Sequence, residues 1–218
     1  MIRQFCVFMM LILLSTKAAF ADMQLDHMVE TLRSLDIEVN DEMIVRFEEK
    51  VSEIYASLPA EFDIDLNLYS YENLLRHLGM GEFDPEAGRF ISEMDDVYAF
   101  DMEAYDIVYA YEDLLMAIDR MGSNEIQVND IVVEYDFELF MKGYGKMTIR
   151  YNLNGNEYAY SADFQMDWMD CRILDDVNKN LKMLDIEKCV WNMFDDGQGL
   201  ILFCDTEQWA QSFEAATG

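Results

Sequence analysis

Among 44 acidic residues and two histidines, we single out Asp101, Glu103, Asp106 and His77 as the candidates for acid–base chemistry. Two carboxyl groups can act as the acid and base of a hydrolase when the fold holds them close together. The three acidic residues lie between a predicted short strand and a predicted helix, where carboxylates also cap helix N-termini. His77 is predicted near the end of a short helix, where a cation suits the helix dipole. We therefore interpret these residues first as caps and surface charges, with catalysis as the alternative.

A second candidate group is Asp63, Asp65, Asn67 and Glu72, whose spacing is that of the oxygen ligands in an EF-hand calcium loop. With Glu72 at the twelfth position of such a loop, the sixth position is Leu66. An EF-hand loop needs glycine at that position for its sharp turn. The alternation of polar and apolar residues also favours an extended segment. We therefore predict no EF-hand and no metal site, and leave these four residues as candidates for weak calcium binding by an acidic surface.

The sequence after residue 21 contains none of five common hydrolase or nucleotide-binding motifs: G-x-S-x-G, H-E-x-x-H, C-x-x-C, S-x-x-K and the P-loop. The whole chain has only two histidines, His27 and His77, so bases for a Ser or Cys nucleophile are few. These observations favour a non-enzymatic binding or interaction protein without a cofactor. The alternative is a secreted hydrolase that uses carboxylates, with or without a divalent cation.

Residues 1–21 have the pattern of a cleaved signal peptide. Arg3 precedes an apolar run over residues 5–14, and Ala19-Phe20-Ala21 has the small residues that a signal peptidase reads. The run is shorter than the roughly 20 residues that a membrane-spanning helix needs. We predict export to the periplasm, the cell surface or the medium, as a protein that does not span the membrane after cleavage.

The chain is strongly acidic. It carries 15 basic and 44 acidic residues, a formal net charge of −29. Cleavage after Ala21 would remove Arg3 and Lys17 and leave 13 basic and 44 acidic residues, a net charge of −31. Nucleic acids and anionic membranes are bound by clusters of Lys and Arg, so we exclude both as partners. The charge serves solubility, attracts a cationic protein, a cell-envelope component or metal ions, or adapts the protein to a salty medium.

The pattern of apolar residues predicts an α+β fold. Helical spacing dominates up to Gly122, and alternation begins after it, so we predict a mainly helical subdomain over residues 22–122 and an α+β subdomain over 123–218, packed as one unit. Asn154-Gly155 predicts a hairpin, and Asn129-Asp130 predicts a bulge in a preceding strand. The order β-β-β-α-β-β-α predicts one antiparallel sheet with helices on one face.

One face of the predicted hairpin is aromatic. Tyr151, Tyr158, Tyr160 and Trp168 fall on the same side. The helix predicted after Asp170 has an apolar stripe to bury, so we expect this face to be core. A sugar-binding platform is the alternative.

Three cysteines follow the leader: Cys171, Cys189 and Cys204. If Asp196-Gly197 is a two-residue hairpin turn, Cys189 lies opposite Cys204, within the distance that a disulfide accepts. We predict this pair as the candidate disulfide. The alternative is two small apolar residues in a packed hairpin.

Overall fold

A computed structural model of the chain describes residues 23–57, 68–86, 89–92, 94–103 and 106–218. Its helices and antiparallel sheets confirm the predicted α+β class. Contacts divide the chain into two compact units, Met1–Leu74 with Thr217, and Leu75–Ala216 with Gly218. The subdomain boundary that we predict after Gly122 stays a prediction.

Within the first unit, residues 23–34 form helix α1 and Asp41–Ser57 form α2. The apolar stripe of α1 is buried through Leu25, Val29 and Leu32. Asn40 caps α2, since its side-chain oxygen accepts the Met43 N–H at 3.0 Å, as its position before an apolar stripe predicts.

The remaining helices are α3 (Tyr71–Met80), α4 (Ile107–Met121), α5 (Phe137–Lys142), α6 (Ile173–Met183) and α7 (Glu207–Thr217). The strands are β1 (Glu82–Asp84), β2 (Arg89–Ile91), β3 (Tyr98–Asp101), β4 (Val128–Glu134), β5 (Gly145–Leu153), β6 (Asn156–Phe164), β7 (Cys189–Asp195) and β8 (Gly199–Asp205).

The described strands form three antiparallel sheets rather than the single sheet that we predicted. β1 pairs with β2, β4-β5-β6 form one three-stranded sheet, and β3-β8-β7 form the other. The reason for the second sheet is the composition of β8, which is buried at six of its seven positions. A strand that is buried in this way needs a neighbouring strand on each edge. β7 pairs with one edge of β8, and β3, which is distant in the sequence, pairs with the other.

The main apolar core lies between α4, α6 and the β4-β5-β6 sheet. Leu114 and Ile118 of α4 share it with Ile149 of β5 and with Val177 and Leu181 of α6. The predicted stripe of α6 is therefore buried where we expected it. Helix α4 precedes the predicted subdomain boundary and shares this core with strands that follow it.

The β5-β6 hairpin has the predicted turn. Asn154 and Gly155 have φ of 49° and 80°, as a type I′ turn requires, and Leu153 lies opposite Asn156. The predicted bulge in β4 is also present, because the register with β5 shifts between Asn129 and Val132 and Asp130 has φ of 52°.

The predicted disulfide is wrong because the β7-β8 register is shifted by one residue. Cys189 lies opposite Asp205, and Cys204 lies opposite Val190, so the two side chains point to opposite faces of the sheet. A longer connection between the strands and a bulge between Asn192 and Phe194 change the register that a two-residue turn implies. Cys171, Cys189 and Cys204 carry free thiols.

The outer edge of β7 is closed by a side chain of α6. The amide of Asn178 donates to the Val190 carbonyl at 2.8 Å and accepts the Val190 N–H at 2.7 Å. One amide side chain thus satisfies both outward groups of an edge residue.

We expect Asn178→Ala to lower the free energy of unfolding by about 2 kcal/mol, since it leaves two edge groups of β7 without their partner. Urea unfolding measures the change. Lys179→Ala, an exposed neighbour on the same helix, is the control and should stay within about 0.5 kcal/mol of the wild type. Equal effects of the two substitutions would contradict this role of Asn178.

Candidate functional site

The chain makes a tight turn directly after β6, at Gln165-Met166-Asp167-Trp168. The Trp168 N–H donates to the Gln165 carbonyl at 3.1 Å, which closes the turn. Met166 has φ of 56° and Asp167 has no positive φ, the pattern of a type II′ turn. That position ordinarily takes glycine, because a side chain there is strained.

Met166 is unusual among the described residues with positive φ. The six other non-glycine residues of this kind are Asp, Asn or Ser, whose short polar side chains tolerate the conformation. Met166 nevertheless projects into solvent with 64% of its surface exposed. Strain of this kind, held in place by surrounding structure, is a reason to look for function at the turn.

Exposed methionine and aromatic side chains lie in this turn and in the segment from residue 135 to residue 144, which adjoins it through α5. We call them the Met–aromatic surface; they are Tyr135, Phe140, Met141, Tyr144, Met166 and Trp168. The rings of Tyr135 and Phe140 are 4.9 Å apart. The Met166 N–H donates to the Gly143 carbonyl at 3.1 Å, which ties the turn to the end of α5. Large exposed apolar patches commonly mark interaction sites, and methionine adapts to varied partners.

A buried carboxylate, Asp170, fixes the chain between the turn and α6. It accepts the Tyr160 hydroxyl at 3.0 Å, the Asp163 N–H at 2.9 Å, and two guanidinium bonds from Arg172 at 2.7 Å. Its own N–H donates to the Tyr111 hydroxyl oxygen at 2.8 Å. The sequence places Asp170 just before a predicted helix. In the structure its carboxylate joins β6 to the start of α6, and its backbone N–H joins the same residue to α4.

These bonds decide the charge of Asp170. Burial opposes ionisation, but the hydrogen bonds from Arg172, the Asp163 N–H and Tyr160 outweigh it and lower the pKa of Asp170 to about 2. Hydrogen bonds from Lys146 and Arg172 also lower the pKa of Asp163. Both carboxylates are therefore anions at neutral pH, and neither is poised to donate a proton.

A cleft of about 530 Å³ lies over this network. Asp163, Asp170 and Arg172 form its polar side, and Met102 and Trp168 contribute apolar surface. Cys171 also lines it, but burial, with the charges of Asp170 and Asp195, raises the pKa of the thiol to about 12. Cys171 is thus protonated at neutral pH, which does not suit a nucleophile.

A shallower groove of about 340 Å³ runs beside β6. Tyr160 and Ser161 form one side, and Asp175, Asp176 and Lys179 of α6 form the other. Arg172 borders both the groove and the cleft. The last residues of β6, the turn and the first turns of α6 therefore make one continuous candidate site.

Two of the predicted catalytic residues, Asp101 and Glu103, share a hydrogen-bond partner and flank Met102, which lines the cleft. The Gln198 amide donates to Asp101 at 3.2 Å and to Glu103 at 3.3 Å, and Glu103 forms a β-bridge with Trp168. Asp106 is the N-cap of α4, as the first interpretation holds. His77 lies in the last turn of α3. A catalytic role for these four stays a prediction.

Part of the predicted calcium group lies outside the described residues, as does the leader. Asp63, Asp65 and Asn67 are in that part of the chain, whereas Glu72 lies in the first turn of α3. No three His, Cys, Asp or Glu side chains among the described residues come together as metal ligands. Within the same residues, no helix has the length and apolar character to cross a membrane.

The aromatic face divides into buried and exposed parts. Tyr151 is buried in the core, as expected, and its ring stacks on Tyr158 at 5.9 Å. Trp168 is 39% exposed, contrary to the prediction. The reason is that β6 ends at Phe164, so the turn at 165–168 interrupts the alternation that placed Trp168 on the buried face. Helix α5, which carries Phe140 and Met141, was also missed because it has only six residues.

Comparison of the chain with models of protein families, with characterised proteins and with solved structures finds no match. Its function is therefore inferred from the fold class and from the geometry of this site.

We expect Asp170→Asn to lower the free energy of unfolding at neutral pH by about 2 kcal/mol, because the folded pKa of about 2 lies below the ordinary 3.8. A lowered folded pKa stabilises above the unfolded pKa, and this contribution is lost as the pH falls through the folded pKa. The difference between wild type and variant should therefore shrink between about pH 4 and pH 2.

Urea unfolding from pH 7 to pH 2.5 measures this difference. Asp175→Asn, at an exposed carboxylate in the first turn of α6, is the control and should show a small effect. A deficit in the Asp170→Asn protein that stays constant over the whole range would argue against the ionised carboxylate as the stabilising group.

The strained turn yields a separate prediction. Met166→Gly should be more stable than Met166→Ala by about 1 kcal/mol. Glycine adopts positive φ without a steric penalty, whereas the Cβ of alanine retains that penalty. Both variants lose the same exposed side chain beyond Cβ, so the comparison isolates the backbone. Thermal unfolding decides; an alanine variant as stable as the glycine variant would show that the turn is unstrained.

Proposed function

We propose that the protein is an exported, strongly acidic binding protein, without enzymatic activity, whose partner is a cationic protein. The observation that carries the proposal is the Met–aromatic surface, an exposed group of large apolar side chains around a strained turn. Its apolar side chains supply contact area, and the net charge of the chain selects the partner.

The Met–aromatic surface suits the centre of a protein interface. Tyr144 and Met141 have 70% and 75% of their surfaces exposed, so their apolar surface is available for burial by a partner. Aromatic and methionine side chains are enriched at interface cores and contribute much of the binding energy there. The turn is tied to the end of α5, which carries Met141, by the Met166 N–H bond to the Gly143 carbonyl.

The formal charge of −29 supports a cationic partner. An excess of one sign raises association rates with oppositely charged proteins and opposes binding of anionic ones. Export, which would make the charge −31, is supported by the pattern of residues 1–21. Recovery of a mature protein that begins at Asp22 would test it directly.

The hydrolase alternative has less support at this site. The carboxylates of the cleft, Asp163 and Asp170, have lowered pKa values, whereas a general acid needs a raised one. The pKa of Asp113 is raised by burial, but this carboxylate is bonded to Arg89 outside the cleft. We therefore retain binding as the function that the geometry favours.

The proposal is tested by affinity capture from the exported proteins of the source cells with the purified protein as bait. The double variant Met141→Ser, Tyr144→Ser changes two highly exposed side chains, so the fold should be retained. We expect its affinity for the captured partner to fall about tenfold or more, the effect of losing part of an interface core. Binding should also weaken as salt is raised.

Met183→Ser is the matched control, because Met183 is 69% exposed but lies at the far end of α6 from Arg172. It should capture the partner as the wild type does. Equal capture by the double variant would contradict the proposal. So would hydrolase activity in the purified protein that Asp101→Asn abolishes.

A further inference from the structure

The outer edge of β6 differs from the outer edges of the other described strands of the two three-stranded sheets. β7 is closed by Asn178 at Val190 and carries a bulge. In β4, a bulge follows Asn129, and Asp119 accepts the Val128 N–H at 2.7 Å. β3 has four residues, and the backbone of α3 packs against it at Gly79. Short edges, bulges and covering groups are the usual protection against strand addition.

The register of the hairpin identifies the outward groups of β6. Across a two-residue turn, Leu153 and Asn156 form a hydrogen-bonded pair, and pairs alternate from there. The N–H and C=O groups of Glu157, Ala159, Ser161 and Asp163 therefore point away from β5. Asp163 confirms the assignment, because its N–H donates outward to Asp170.

Three consecutive outward positions of β6 are left open. Among the described residues, none bonds the outward N–H or C=O of Glu157, Ala159 or Ser161. The side chains of all three are exposed, and the edge has no proline, bulge or lysine to block a neighbour. The groove beside Ser161 leaves room for a chain between this edge and α6.

We propose that the edge of β6 at Glu157, Ala159 and Ser161 binds an extended, cationic segment of a partner protein as an added β-strand. This inference rests on the proposed binding function and names how the partner is held. Main-chain hydrogen bonds to β6 provide the register of the added strand, and its alternate side chains face the groove. The Met–aromatic surface begins two residues beyond β6, past Asp163, whose outward N–H is already bonded to Asp170.

Charge identifies the occupant. Two copies of this chain, each with a formal charge of −29, repel one another and do not suit pairing of β6 with itself. A basic segment is attracted by the same field. Lys146, Arg172 and Lys179 line the groove together with Asp175 and Asp176. Lys146 and Arg172 are paired with Asp163, so the carboxylates of the groove, with Glu157 on the edge, outnumber the remaining cation, Lys179.

The probe for the test is a blocked heptapeptide of alternating Lys and Val. Its fully N-methylated counterpart has the same charge but no backbone donors. We expect the first peptide to slow amide exchange of Glu157, Ala159 and Ser161 by about tenfold or more, as bonded amides exchange through opening. The N-methylated peptide should leave the exchange of these amides unchanged.

The matched variants are Ala159→Pro and Ala159→Val. Proline removes the outward N–H of residue 159 but no bond to β5, a position at which edge strands tolerate it. We expect Ala159→Pro to weaken peptide binding about tenfold or more, and Ala159→Val, which keeps the N–H, to bind like the wild type. If the proline variant does not fold, the inference is tested by amide exchange of the wild-type protein alone. The comparison is then between exchange with the Lys-Val peptide and exchange with its N-methylated counterpart.

Three results would overturn the inference. They are equal binding of the N-methylated peptide, unchanged exchange at the three amides on binding, and protection that depends on protein concentration without peptide, which would identify a second copy as the occupant. Each leaves open whether the Met–aromatic surface captures a partner. Conversely, protection of the edge amides by the peptide without capture of any partner would support the edge inference and count against the proposed function.

Discussion

The candidate site depends on the hydrogen bonds and the ion pair that the carboxylate of Asp170 forms. This carboxylate is buried, yet it is ionised, because it accepts hydrogen bonds from Arg172, from the Tyr160 hydroxyl and from the Asp163 N–H. A buried charge is tolerated only when it is paired and hydrogen-bonded in this way. Its partners lie on β6 and at the entry to α6, and Tyr111 of α4 accepts its own N–H. The side chain of Asp170 therefore links β6 to the entry of α6, and its backbone N–H links the same residue to α4.

The strained turn is a consequence of this arrangement. Between Phe164, where β6 ends, and Asp170, the chain has few residues in which to reverse direction. Met166 therefore adopts a left-handed conformation that glycine would adopt more easily, and its N–H is held by Gly143. The turn displays Met166 and Trp168 to solvent and is followed directly by the network at Asp170. The hydrogen bonds of Asp170 lie beneath the surface, whereas the strained residue, Met166, is exposed to solvent.

The sequence predicted the parts of the fold that depend on local chemistry. Asn154-Gly155 specifies both a turn and the β5-β6 register, because few turns accept two consecutive residues with positive φ. The β7-β8 register was predicted wrongly from Asp196-Gly197, since a bulge and a longer connection depend on packing across the sheet. The pairing of β3 with β8 joins residues about 100 positions apart, so no local pattern reveals it.

The candidate site was harder to predict for the same reason. Asp170 has the position of a helix cap in the sequence, and the partners that make it a buried anion come from distant segments. Trp168 follows the alternation of β6 beyond the strand's end, so the pattern placed it on the buried face. Asp101 and Glu103 were recognised as carboxylates of interest, but their shared bond to Gln198 depends on β3 lying beside β8.

The acidic charge and the open edge of β6 explain one another. An unprotected edge strand ordinarily invites pairing between copies of the same chain and hence aggregation. In this protein, Asn178 covers the edge of β7 and a bulge interrupts the edge of β4. Neither kind of protection is present on the edge of β6 at Glu157, Ala159 and Ser161. A formal charge of −29 opposes the approach of a second copy without a covering element. The same negative charge attracts a cationic chain. The net charge therefore has two effects: it repels a second copy of the protein, and it favours a cationic partner.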